Sequence, residues 1–293
     1  MASPQSRLFN IFLRLINKKA LPVKLAASRF NFYNRPEPPL KISKICDIHQ
    51  SKIDGFNVFT LKPKHKNSGK HILYLHGGAY TQNFQLFHWE FLSELVAQTH
   101  CTITAPDYPL APAYTYKESF AMVTPLYKQL TETVSPADLV LMGDSAGGGF
   151  ALALAQQMKL EQVSQPDQII LLSPWLDITL SNPAIEETEP IDPFLGKKKL
   201  QQAGLLYAGG TALDNPLLSP INGTLEGLGK ISVFVGSKEI LVADARKLKS
   251  MAQAKGVALN YYEYEDMIHA WMLLNFPESK KARQQITAII LRA

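Results

Sequence analysis

Residues 139–155 read LVLMGDSAGGGFALALA, an apolar run that breaks at a glycine, exposes one serine and resumes among glycines and alanines. Gly143, Ser145 and Gly147 make the spacing G-x-S-x-G, the pattern of a serine set on a sharp turn between a strand and a helix. Leu139–Met142 reads as a short buried strand and Phe150–Met158 as the apolar, alanine-rich face of a packed helix. A serine at such a turn has a strained backbone, and glycine two residues to either side is expected to relieve crowding against it. A strand passing straight into a helix is the repeating unit of α/β folds. A tight βα turn with an incidental serine would carry the same letters, so the remainder of the chain has to decide.

The remainder keeps the same rhythm. KISKICDI (41–48) and FNVFTLKP (56–63) read as strands joined through Asp54-Gly55, a good hairpin turn. HILYLHGG is a buried strand ending in glycines, FHWEFLSELVAQTH has helical spacing, and CTITAPDY is another strand. KESFAMVTPLYKQLTETV is a helix with an expected irregularity at Pro125, and DLVLMGDS leads into the elbow. Then come the strands QIILLSP and ISVFVGS, a helix from about Val242 to Lys255, the strand ALNYYEYE and a last helix near Glu278–Leu291. Short apolar strands separated by helices imply a mostly parallel sheet covered on both faces.

Residues 178–222 interrupt that order with Pro183, Pro190, Pro193, Pro216 and Pro220 and one helical piece, LGKKKLQQAGLLYAG. A segment inserted after a strand's C-terminal end lies over the edge where open α/β sheets bind ligands. The expected organisation is a single domain, 1–293, with a cap made by about residues 1–40 and about 178–222.

Charge narrows the function classes. Arg7, Arg14, Lys18, Lys19, Lys24, Arg29 and Arg35 all precede the first acid, Glu37, so the formal charge of +5 becomes −2 over the rest of the chain. Nucleic-acid binding needs basic residues gathered on a folded surface with aromatic partners, and the body of the chain lacks them. The opening RLFNIFLRLINKKALPVKL is basic and amphipathic. It makes a poor signal peptide, and packing over its own protein is favoured over contact with a membrane surface. Cys46 and Cys101 have neither metal-ligand nor disulfide-framework spacing, which points to a reduced, cytoplasmic protein.

A serine hydroxyl is a weak nucleophile until a base takes its proton and donors stabilise the oxyanion. His76-Gly77-Gly78-Ala79 ends a buried strand, and its glycines free backbone N–H groups to face a substrate oxygen. The N–H of Ala146, just past the serine, is placed to point at the same spot. HGG ahead of GDSAG, with DYPLAPAY between and SPWLD after, resembles the hormone-sensitive-lipase-like branch of the α/β-hydrolases. Over about residues 70–290 the resemblance implies an eight-stranded sheet with the second strand antiparallel, a helical cap, and the order nucleophile, acid, base.

That order places the base late, and His269 is the only histidine beyond Ser145. The resemblance puts the acid shortly after the seventh strand, where Glu239 stands; Asp244, five residues on, is the runner-up, better read as a first-turn charge on the helix dipole. His76 is expected to brace the glycine loop, Asp107 to fix the loop after its own strand, and Asp144 to play a structural part. Tyr80, Phe84, Trp175 and Trp271 are candidate pocket walls or ordinary core.

The expectation is a serine carboxylesterase acting on short acyl esters, with Ser145, His269 and Glu239 as triad and Gly77, Gly78 and Ala146 as oxyanion donors. It needs no metal and no cofactor, and its partner is a small-molecule ester. Monomer and homodimer are both open. An amidase or peptidase on the same triad, and a non-catalytic hydrolase-fold binding protein, are the alternatives.

Overall fold

The computed structural model describes residues 2–15 and 35–292, so residues 16–34 of the N-terminal segment, about 1–40, expected to form part of the cap lie outside the described residues. Eight strands form one sheet: β1 (Cys46–Ile53), β2 (Phe56–Pro63), β3 (His71–Leu75), β4 (Thr102–Pro106), β5 (Leu139–Asp144), β6 (Gln168–Leu172), β7 (Lys230–Gly236) and β8 (Leu259–Tyr264). Their order is 1-2-4-3-5-6-7-8. β2 runs antiparallel to both β1 and β4, and every pairing from β4 through β8 is parallel. The mostly parallel sheet with an antiparallel second strand is the architecture expected.

The first strand lies later than its sequence suggests. Leu40–Lys44 is a 3-10 turn, and β1 continues to Ile53, which pairs with Phe56. Asp54 and Gly55 both have positive φ, 50° and 87°, the left-handed pair a two-residue hairpin demands. That turn fixes the register, so β1 follows the turn and not the apolar residues upstream.

Alternation along β5 divides the core. Leu139 and Leu141 enter the layer that also holds Phe120 and Tyr127 of α3 (Tyr116–Thr133), Phe150 of α4 (Ala146–Leu160) and Leu248. Val140 and Met142 enter the opposite layer, with Trp89 and Leu92 of α2 (Leu86–Thr99) and with Ile286. α3 runs unbroken past Pro125. Thr115 and Glu118 cap its start reciprocally, and one missing N–H is tolerated where the buried face is this extensive.

The insertion carries a single turn, Ile185–Thr188, and α5 (Lys197–Ala208). Beyond it, β7 leads to α6 (Val242–Ala254), and the chain closes with α7 (Pro277–Arg292). At the N-terminus α1 (Pro4–Leu15) docks on the start of α7: Ser3 and Ser6 bond to Glu278, and the Phe9 ring lies 5.4 Å from Phe276. Among the described residues no helix is long and apolar enough to cross a membrane.

Candidate active site

Parallel strands end on one edge of a sheet, and the expected site residues follow four of them. The glycine loop follows β3, Ser145 follows β5, Glu239 follows β7 and His269 follows β8. Ser145 has φ 53° and ψ −120°, a conformation costly for a residue with a side chain. The flanking glycines are required by the neighbouring backbone rather than by the serine. A Cβ on Gly143 would stand 2.2 Å from the carbonyl oxygen of Gly147, and one on Gly147 would stand 2.0 Å from that of Leu75. α4 therefore enters against β3 with no room for a side chain. The Ser145 N–H donates to the carbonyl of Leu172, tying the turn to the neighbouring strand.

His269 Nε2 lies 2.9 Å from Ser145 Oγ. Its other ring nitrogen, Nδ1, faces Glu239 Oε2 at 3.3 Å, longer and less well aligned than a hydrogen bond, as is common before substrate binds. Burial pushes the Glu239 carboxyl above the usual range, against the donors and charge of His269 and the hydroxyl of Ser173; the charge of Asp192 adds to the rise. Backbone and side-chain bonds bind the two loops to each other: Lys238 N–H donates to the Met267 carbonyl at 2.9 Å, and Asp266 N–H donates to Ser237 Oγ at 2.8 Å.

Asp244 is nowhere in this line. It accepts from Asn182 of the insertion at 2.9 Å and is buried rather than displayed as a first-turn charge, so burial pushes its carboxyl up to about 6. His76, Asp107 and Asp144, the three residues expected to play supporting parts, make polar contacts at or near the glycine loop, and His88, not named from the sequence, joins them. His76 Nδ1 contacts the Gly77 carbonyl at 2.7 Å and its ring stacks on Tyr108. Both Asp107 oxygens accept from Asn83. Asp144 turns away from Ser145 to accept from Tyr74 and faces His88 at 3.4 Å.

That carboxylate corrects the expected oxyanion set. Gly77 N–H donates to Asp144 Oδ1 at 2.8 Å and is already spent. Gly77 still has to be glycine, because a Cβ there would lie 2.2 Å from Asp144 Oδ2. The N–H groups of Gly78 and Ala79 have no acceptor among the described residues, and that of Ala146 opens α4, where no helical carbonyl reaches it.

The four aromatic candidates divide. Phe84 packs among Phe59, His76 and Trp89, and Trp271 packs against Tyr264, so both are core. Tyr80 stacks face to face on Tyr207 of α5 at 3.7 Å and on Trp175 at 5.7 Å, which joins the insertion to the body beside the glycine loop. Three residues were not singled out from the sequence. Ser173 bonds to Glu239, Asp192 accepts from the N–H of Ile240 on the loop that carries Glu239, and the Phe194 ring lies 5.9 Å from the His269 ring. SPWLD was the signal available for Ser173; nothing marks the other two.

The chain is similar to proteins named as esterases, hydrolases and lipases. The family model described as the alpha/beta hydrolase fold matches residues 72–273. An esterase of Acinetobacter venetianus is 32% identical over 220 residues, 73% of this chain and 72% of that protein. An acetyl-hydrolase of Streptomyces hygroscopicus is 29% identical over 78% of this chain and 77% of its own length. The crystal structure of a hormone-sensitive lipase from a metagenome library has a TM-score of 0.87 at 26% identity, covering 98% of this chain and 97% of that one. With the sheet order, the serine elbow and these likenesses together, the chain belongs to the α/β-hydrolase fold family, in its hormone-sensitive-lipase-like branch.

Proposed function

We propose that this chain is a serine carboxylesterase that hydrolyses short-chain acyl esters through Ser145, His269 and Glu239. One observation carries the reading: a serine in a strained elbow has its hydroxyl 2.9 Å from an imidazole whose far nitrogen faces a buried carboxylate. His269 takes the Ser145 proton as Oγ attacks the ester carbonyl, and Glu239 stabilises the imidazolium that results. Gly78, Ala79 and Ala146 N–H groups receive the negative charge on the tetrahedral oxygen. His269 then protonates the leaving alcohol, and water repeats the sequence on the acyl-enzyme.

Residues 178–222 and the N-terminal segment act as the cap. The Tyr207–Tyr80 stack and a hydrogen bond from Arg14 to the Ile191 carbonyl support that placement. The likeness to an acetyl-hydrolase supports a short acyl group. A stoichiometric organophosphonate followed by peptide mass spectrometry tests the reading. One adduct, on Ser145, with proportional loss of esterase activity is expected; a protein that takes no adduct is a binding protein. A rise of kcat/KM from acetyl to long-chain activated esters would overturn the short-chain preference.

A further inference from the structure

Ser173, the first residue after β6 and the serine of SPWLD, is fully buried between the two loops of the triad. Its φ is 46°, a left-handed conformation unfavourable for a residue with a Cβ, so packing alone would be better served by glycine. Its hydroxyl has two partners, and their chemistry fixes the direction of each bond. The Ala270 N–H can only donate, at 3.0 Å, so Ser173 Oγ accepts from it. The ionised Glu239 carboxylate can only accept, at 2.9 Å from Oγ, so the single hydroxyl proton goes there. Ser173 N–H donates to the Phe234 carbonyl at 2.7 Å, which anchors the residue to the end of β7.

Taken with the triad reading on which it rests, this geometry leads us to propose that Ser173 is a positioning residue, aiming the Glu239 carboxylate at His269 and pinning the residue that follows His269. The oxygen it holds, Oε2, is the one that faces His269 Nδ1, whereas Oε1 has no hydrogen-bond partner among the described residues. A glutamate has one more torsion to fix than an aspartate, and this hydroxyl is the contact that fixes it. The charged and titratable groups around Glu239 are His269 on the loop after β8, Asp192 in the insertion and Tyr261 on β8. Asp192 repels the carboxylate, so the Ser173 hydroxyl is the uncharged donor that favours its ionised form.

Ser173→Gly removes the hydroxyl and accepts the positive φ, and Ser173→Ala removes the hydroxyl alone. Both are to be assayed on p-nitrophenyl acetate from pH 5 to 9, with thermal melts, in the wild-type and Glu239→Gln backgrounds. The expected result is a kcat lower by about ten- to a hundredfold, the range carried by a lost hydrogen bond to a charged group, with KM within about twofold. The acid limb of the kcat/KM profile moves to higher pH, because a carboxylate without its donor takes up a proton more readily. In the Glu239→Gln background the same substitutions cost less than about threefold, since the group they act through has lost its charge. A folded Ser173→Gly or Ser173→Ala protein with kcat within about twofold of wild type overturns the proposal, as does a loss undiminished in the Glu239→Gln background. Glu239→Gln alone separates the two levels. If it keeps the wild-type rate, the triad reading fails; if it is inactive while the Ser173 variants are active, only the role of Ser173 fails.

Discussion

The carboxylate of Asp192 accepts the N–H of Ile240 at 2.9 Å, so a residue of the insertion grips the residue that follows Glu239. Its other oxygen accepts from Phe194 and Leu195 at 2.7 and 2.9 Å. Three backbone donors thus converge on one buried side chain. Asp192→Ala orphans all three and is expected to cost about 2–4 kcal/mol in urea unfolding and to lower kcat by loosening the acid's loop. Asp192→Asn keeps an acceptor and should lose less. Unchanged stability in the alanine variant would show that the insertion is held elsewhere.

Asp244 gives a pH test with a definite sign. Its pKa is about 6 in the folded chain against an ordinary 3.8, so between those values the folded state holds more protons than the unfolded one. Stability attributable to this group therefore falls as pH rises through that window. Asp244→Asn removes the effect. Relative to wild type it should gain stability from pH 4 to pH 7, by at most about 3 kcal/mol, and change kcat by no more than severalfold. A variant whose relative stability is flat across that window would contradict the assignment.

Glu239→Gln should separate catalysis from stability. It is expected to lose about a hundredfold or more in kcat, because the imidazolium loses its partner. Burial disfavours the ionised carboxylate, so above its ordinary titration range the native state is the poorer for that charge. The melting temperature of the glutamine variant at pH 7.5 should match or exceed that of wild type. A large drop in melting temperature would make Glu239 a structural residue.

Gly147→Ala should fail through backbone collision. The added Cβ lies 2.0 Å from the Leu75 carbonyl oxygen and has no flexible side chain to displace. Loss of soluble protein, or destabilisation of about 3 kcal/mol or more, is expected. A soluble, active Gly147→Ala protein would require α4 to shift away from β3.

What could be read from the sequence was what local order determines. Apolar strand, elbow and alanine-rich helix are contiguous, so Ser145 and its setting were legible, and the alternation of strands with helices implies a mostly parallel sheet. Contacts made across the chain were not. The antiparallel second strand came only with the family resemblance, and the crossing of β3 and β4 in the strand order is a contact across the chain. Gly77 looked free because the carboxylate that takes its N–H belongs to Asp144, 67 residues later. Asp244 looked like a surface charge because its partner, Asn182, sits in a segment with no periodic pattern. Ser173 and Asp192 act only once β6, β7 and the insertion have been brought together.

Deleting residues 1–35 tests the cap. The deletion removes the partners of Glu278 and uncovers Phe276, so it is expected to reduce solubility and shift the acyl-chain preference. An unchanged chain-length profile would leave the insertion as the whole of the cap.

The central claim is that Ser145 is the nucleophile, and the turnover of Ser145→Ala on an activated short-chain ester tests it most directly. The hydroxyl is small and its turn is held by backbone bonds, so the variant should fold with wild-type circular dichroism. Its kcat should fall by at least about a thousandfold, since among the described residues Ser145 is the hydroxyl held within hydrogen-bond distance of His269 Nε2. A folded Ser145→Ala protein that retains a tenth of the wild-type kcat would contradict the account.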